Sequence, residues 1–162
     1  MKKYKNWIIA VNLLAIIAYF TFTILQKEKI LKEGKLILLE LAPVDPRSLM
    51  QGDYMRLRYS IADSITPSEV PPRGYVVVKL NTKGIASGVR LQNNTTPLKK
   101  DELLIKYTMS NRHSLNIGAE SFFFQEGHAT KYEQAKFGGI RVDNKGNSLL
   151  VGLYDEREKM IR

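Results

Sequence analysis

Residues Trp7 to Leu25 form a run of 19 residues without a charged side chain, WIIAVNLLAIIAYFTFTIL. As an α-helix rising 1.5 Å per residue, such a run is roughly 28 Å long, close to the hydrocarbon thickness of a bilayer. It is apolar on every face, whereas a helix packed on a soluble core carries a single apolar stripe. Beyond Trp7 and Tyr19, only Asn12, Thr21 and Thr23 bring polar side chains into it. Tyr4 and Trp7 stand where interfacial aromatics stand. The run therefore reads as one transmembrane helix. The competing assignment, a cleaved signal peptide, shares the basic start and apolar middle. However, the run is longer than a usual signal core, and no small-x-small site precedes Gln26-Lys27-Glu28-Lys29. Asn12 inside the run suits a hydrogen bond to a neighbouring helix of an integral-membrane partner.

Charge follows the same division. Residues 1–35 hold seven lysines and two acids, a net +5, and the remaining 127 residues hold 18 basic and 14 acidic groups, a net +4. More than half the excess flanks the apolar run, where an anionic lipid surface attracts it. A nucleic-acid-binding domain would need a concentrated basic face of its own, and the sequence predicts no such partner. There are no cysteines, which excludes disulfide staples, thiolate chemistry and Cys-based zinc sites.

Two units follow: a tail, transmembrane helix and linker over residues 1–34, ended by Gly34, and a β domain over residues 35–162. Lys35 to Ala42 reads as a strand. Pro43 and Pro46 then make a stiff elbow. Tyr54 to Tyr59 alternates, with Tyr54, Arg56 and Arg58 on one side and Met55, Leu57 and Tyr59 on the other, so a strand is expected from Asp53 to Ala62. Pro67, Pro71 and Pro72 mark a loop. Gly74–Leu80 and Ile85–Leu91 predict a hairpin, as do Ile140–Val142 and Ser148–Tyr154. Leu103–Met109 and Ser121–Gln125 add strands, and Arg112–Gly118 a weaker extended segment. Residues 127–136 are the one helical candidate in the domain, closed by Gly138-Gly139. The charged tail from Asp155 is expected to fray. The fold class is mainly β: one N-terminal transmembrane helix, then a single antiparallel β-barrel or sandwich with one short helix.

Gly52, Asp53, Tyr54, Leu57 and Tyr59 fill all five fixed positions of the pattern Gly-Asp-Tyr-x-x-Leu-x-Tyr. The chain thereby resembles the bacterial GDYXXLXY family. Phe122–Gly127 with Ala129, Tyr132 and Glu133, and Ile140–Val142 with Ser148–Leu153, are also similar to that family, and the likeness covers most of residues 35–155. It implies a small envelope protein in the bacterial cytoplasmic membrane, held by one helix. It brings no catalytic or cofactor-binding residues. With the N-terminus inside, the domain would be extracytoplasmic.

Read as chemistry, Asp53 after Gly52 suits a turn that accepts backbone N–H bonds, and the two tyrosines suit buried rings with a bonded hydroxyl. The signature then builds a corner and a core strand. The sharper alternative is a binding edge, with Arg56 and Arg58 gripping a carboxylate or phosphate of a small anionic ligand. Leu49 to Asp53 is also similar to a corner in membrane-anchored signal peptidases, which implies a Ser/Lys hydrolase with Ser48 or Ser60 as nucleophile and Lys79 as base. The Ser-Met nucleophile motif of those enzymes is missing, and Lys79 on a strand reads equally as a solvated residue. His113 and His128 lack close histidine partners, and Glu126 stands two residues from His128, so no metal or cofactor is expected. In Phe122-Phe123-Phe124 the outer pair faces one way and Phe123 the other, and burial on both sides is expected. An exposed Phe123 would instead mark a partner or membrane contact. The leading expectation is a non-enzymatic accessory subunit or binding module beside an integral-membrane protein, with Asn12, Arg56, Arg58 and Phe123 as its contact candidates.

Overall fold

In the computed structural model, residues 2–42, 54–63, 71–109, 115–125 and 127–162 are described. The first element, α1 (Lys2–Glu33), is one uninterrupted helix. Its apolar side chains from Tyr4 to Leu25 stand exposed, Trp7 at 74%. It is long and apolar enough to cross a membrane by length and composition. Only at its foot does it meet the sheet, where Ile30 is buried.

The joint that follows is one residue long. The Gly34 N–H closes the last turn onto the Ile30 carbonyl at 2.9 Å, and the Gly34 carbonyl accepts a bond from Arg141 Nη1 at 2.8 Å. These bonds satisfy two of the groups a helix terminus otherwise leaves open. Strand β1 (Lys35–Glu40) starts at once and pairs antiparallel with β8 (Phe137–Val142) along its whole length.

Beyond β1, the strands in chain order are β2 (Tyr54–Arg56), β3 (Arg73–Leu80), β4 (Ile85–Gln92), β5 (Glu102–Met109), β6 (Leu115–Asn116), β7 (Ser121–Phe123), β8 and β9 (Ser148–Tyr154). Seven form one sheet in the order β6-β5-β3-β4-β1-β8-β9, and β2 and β7 form a separate ribbon. The two predicted hairpins are present as β3–β4 and β8–β9. All described pairings are antiparallel except β1–β4, which is parallel and makes the sheet mixed. This pairing joins two separate hairpin units, so no local turn dictates its direction.

The sheet curls until its ends meet. The Lys106 N–H of β5 donates to the Gly146 carbonyl in the β8–β9 turn at 2.8 Å. Ser148 Oγ of β9 donates to the Ile117 carbonyl just after β6 at 2.6 Å. The concave side holds the core: Ile37 and Leu39 from β1, Val76 and Val78 from β3, Ile105 and Tyr107 from β5, Ile140 and Val142 from β8. This is the alternation the sequence carries, read on one face of each strand. A smaller cluster of Leu38, Phe137 and Tyr154 lies outside that core.

Four local expectations are corrected. The strand expected from Asp53 to Ala62 ends at Arg56, and Ser60–Asp63 winds a helical turn, α2. The helix expected over 127–136 is one turn, α3 (Ala129–Tyr132). Gly138-Gly139 does not end that helix but lies inside β8. A Cβ on Gly138 would come within 2.8 Å of the Tyr59 ring, and one on Gly139 would collide with the Tyr154 ring. The pair is therefore glycine because an aromatic ring lies flush on the strand at each residue. The tail does not fray either. Asp155 Oδ1 accepts the Arg157 and Lys159 N–H groups, and the Ile161 N–H returns to the Leu153 carbonyl at 2.8 Å. The prolyl elbow and Pro67 lie outside the described residues.

Gly139→Ala is expected to lower stability by about 1–3 kcal/mol through overpacking, read as a lower urea midpoint with an unchanged slope. Tyr154→Ala in the same chain should recover part of the Gly139→Ala loss. Additive losses would show that the ring is not the obstacle.

Arg90 of β4 reaches Glu102 of β5 across the intervening β3. Glu102, with a side chain 4% exposed, takes two bonds from Arg90 at 2.7 and 2.8 Å and the Lys99 N–H at 3.0 Å. Those bonds pull its carboxyl from the ordinary 4.5 down to about 2. A depressed carboxyl contributes stability that is complete above the unfolded value and lost as pH falls through the folded one. The stability gap between wild type and Glu102→Gln is thus expected to be widest at neutral pH and to narrow between pH 4.5 and 2. A gap that stays constant across that window would refute the assignment.

Candidate functional site

The signature becomes a laced strand rather than a ladder strand. β2 pairs with β7 in the register Tyr54↔Phe123, Met55↔Phe122 and Arg56↔Ser121. The chain then stays extended but changes partners. The Leu57 N–H donates to the Glu120 carbonyl at 2.6 Å, the Ala42 N–H to the Arg58 carbonyl at 2.8 Å, and Tyr59 bridges Leu41. Burial follows the predicted alternation: Met55, Leu57 and Tyr59 are buried, and Arg56 and Arg58 are exposed. Gly52 and Asp53 lie outside the described residues, as do Ser48, His113 and Glu126.

Tyr59 is the most constrained of these side chains. Its ring lies against Gly138, and its hydroxyl donates to the Ala119 carbonyl at 2.6 Å. Burial, reinforced by the nearby Glu120 charge, pushes the phenol's pKa well above its ordinary value. The hydroxyl therefore stays protonated and available as a donor. Glu120 itself holds the next turn, its carboxylate accepting the Ile117 N–H and, at 3.2 Å, the Gly118 N–H.

The ribbon brings together residues that the sequence offered separately. Directly opposed residues of an antiparallel pair share a face, as do positions two apart. Phe123 and Arg56 therefore lie on one face, and Met55 and Phe122 on the other. Phe123 is 74% exposed, which overturns its expected burial. The reason is where α3 packs. Tyr132 meets Phe122 at 4.9 Å and Phe124 at 5.5 Å between ring centroids, so the helix covers the inner pair. The outcome is a ribbon face that carries an exposed phenyl ring and the exposed Arg56, with Arg58, also exposed, two residues further along the chain.

Other candidates are placed without such company. Lys79 is exposed and bonded to Asp101 at 2.7 Å, and that bond raises its pKa. A Ser/Lys base requires the opposite shift. Among the described residues, no group of three or more metal-ligating side chains lies together. Asn12 sits on the exposed helix, lining a shallow groove with Trp7, Ile8 and Val11.

A long apolar helix joined directly to a curled β-sheet, with an arginine- and phenyl-bearing ribbon laid on its core, defines a β protein with an N-terminal apolar helix. The chain matches the family described as GDYXXLXY protein over residues 16–153, and it belongs to that family. Comparisons with curated proteins and with solved structures give no match.

Tyr59→Phe is expected to cost about 1–2 kcal/mol, because the Ala119 carbonyl loses its buried donor. Urea unfolding of the two proteins measures it. Equal stability would show that the hydroxyl bond contributes nothing.

Proposed function

We propose that the protein is a non-enzymatic, single-pass membrane protein of the bacterial envelope. In this reading α1 is retained as an anchor in the cytoplasmic membrane, the β domain lies on the extracytoplasmic side, and the protein is an accessory subunit beside an integral-membrane partner. The observation that carries the reading is the exposed apolar length of α1, with Asn12 in a groove among Trp7, Ile8 and Val11. Among the described residues nothing covers so long an apolar surface, and lipid is its natural solvent. A single amide inside the apolar run then favours a neighbouring helix that can bond to it. The exposed ribbon gives the domain a second place to touch the same partner.

Binding of a small anionic ligand is the second reading, favoured by Arg56 and Arg58 on one exposed edge. It differs from the first in needing no membrane partner.

Native membranes are washed with carbonate, solubilised in mild detergent, and the protein is purified with whatever accompanies it. The expected result is retention through the wash and a stoichiometric membrane protein in the purified material. Asn12→Leu should stay in the membrane yet weaken that association by about 0.6–2 kcal/mol. Recovery as a lone chain, or release by carbonate, would sink the accessory-subunit reading. In the lone-chain case, thermal shifts with anionic solutes that vanish in Arg56→Ala/Arg58→Ala would favour the second.

A further inference from the structure

At the foot of α1 the helix and the β8–β9 turn enclose a cleft of about 760 Å³. Five lysines line it: Lys27 and Lys29 from the helix, Lys35 from the start of β1, Lys106 from β5, and Lys145 from the turn. Its two carboxylates are Glu33 and Asp143, which leaves a net charge of three positive (five minus two). Both acids are already engaged. Glu33 pairs with Lys29 at 3.7 Å. Asp143 accepts the Lys145 and Asn147 N–H groups at 2.9 and 2.8 Å and the Asn147 amide at 2.6 Å. Burial alone would raise the Asp143 pKa, but these bonds outweigh it and keep the carboxylate ionised. Lys106 is held against Asn147 at 2.7 Å. Among the described residues, no carboxylate lies within ion-pair distance of Lys27, Lys35 or Lys145. The negative end of α1 draws some of this charge, yet the Gly34 carbonyl there is already taken by Arg141.

We propose that this cleft binds the phosphate headgroup of an anionic phospholipid in the leaflet facing the domain. The inference rests on α1 being the anchor. The cleft runs from Thr23, inside the apolar run, to Lys35 and the turn. With the run spanning the bilayer, the mouth of the cleft lies at the hydrocarbon boundary, Lys27 and Lys29 lie about 3–6 Å beyond it at headgroup depth, and Lys35 lies further out. A lipid phosphate is already confined to that plane, whereas a solute phosphate is not. Each juxtamembrane lysine adds roughly a fivefold factor toward anionic lipid. Because two walls of the cleft belong to the domain, a bound headgroup would fix the domain's orientation on the surface.

The test uses the full chain, exchanged into detergent. Retained lipid is counted by native mass spectrometry, and thermal unfolding is followed through the β signal. The probes are short-chain phosphatidylglycerol, phosphatidylcholine of equal chain length, and inorganic phosphate. Phosphatidylglycerol should be retained and raise the midpoint, and the other two should not. Lys35→Gln/Lys145→Gln should lower phosphatidylglycerol affinity by at least about tenfold, with an unchanged midpoint in the absence of lipid. Lys100→Gln, outside the cleft, should bind as wild type does. Equal retention of the two lipids, or wild-type affinity in the double variant, would overturn the proposal. A shift from inorganic phosphate alone would mark a solute site and overturn the lipid assignment. The carbonate wash separates the two readings: a double variant that stays in the membrane but loses lipid preference supports the cleft. A wild-type chain released by carbonate overturns the anchor and, with it, the cleft.

Discussion

Tyr59 joins parts of the chain that are otherwise remote. Its backbone bridges Leu41 at the end of β1, its hydroxyl binds Ala119 between β6 and β7, and its ring covers Gly138 in β8. The seven-stranded sheet makes a concave wall, but a wall alone leaves apolar side chains facing water. Met55, Leu57, Tyr59 and Ile61 fill that concavity as one continuous segment. The requirements are coupled. A flat ring can lie on β8 only where the strand has no Cβ, and the buried phenol needs an acceptor, which the Ala119 carbonyl supplies. Glu120, by gathering the Ile117 and Gly118 N–H groups, holds that carbonyl's segment in place.

What was legible in the sequence was what short-range pattern decides. The apolar run, the Gly34 stop, both hairpins and the alternation through Arg58 follow from local periodicity and turn chemistry. The misread positions depend on contacts from elsewhere in the chain. Gly138-Gly139 looks like a helix stop until Tyr59 and Tyr154 are placed on it. Phe123 looks buried until Tyr132 is seen to cover Phe122 and Phe124 instead. The tail looks frayed until Asp155 turns it back onto β9. The parallel β1–β4 pair leaves no local trace. The cleft at the foot of α1 was half visible: Lys27, Lys29 and Lys35 stand together in sequence, but Lys106 and Lys145 reach it only because the sheet curls.

The same curl makes the helix and the domain one mechanical unit at their joint. Gly34 is the only residue between α1 and β1, and Arg141, on the strand paired with β1, holds its carbonyl. A long linker would let the domain tumble, with its surface sampled in all directions. A one-residue joint with both backbone groups bonded fixes the angle between helix and sheet. Whatever the helix leans on therefore also sets where the ribbon of Arg56 and Phe123 points.

This gives the family pattern a physical meaning. In Gly-Asp-Tyr-x-x-Leu-x-Tyr, the fixed leucine and final tyrosine are Leu57 and Tyr59, both buried in the core. The open positions are Met55, Arg56 and Arg58, and two of these three are exposed. Leu57 and Tyr59 are thus marks of the fold, part of what fills the concave sheet. Arg56 and Arg58 face away from the packing that Leu57 and Tyr59 satisfy, so that packing does not fix their identity. The side chains outside the core are those open positions, Arg56 and Arg58, and the lysines of the cleft at the foot of α1.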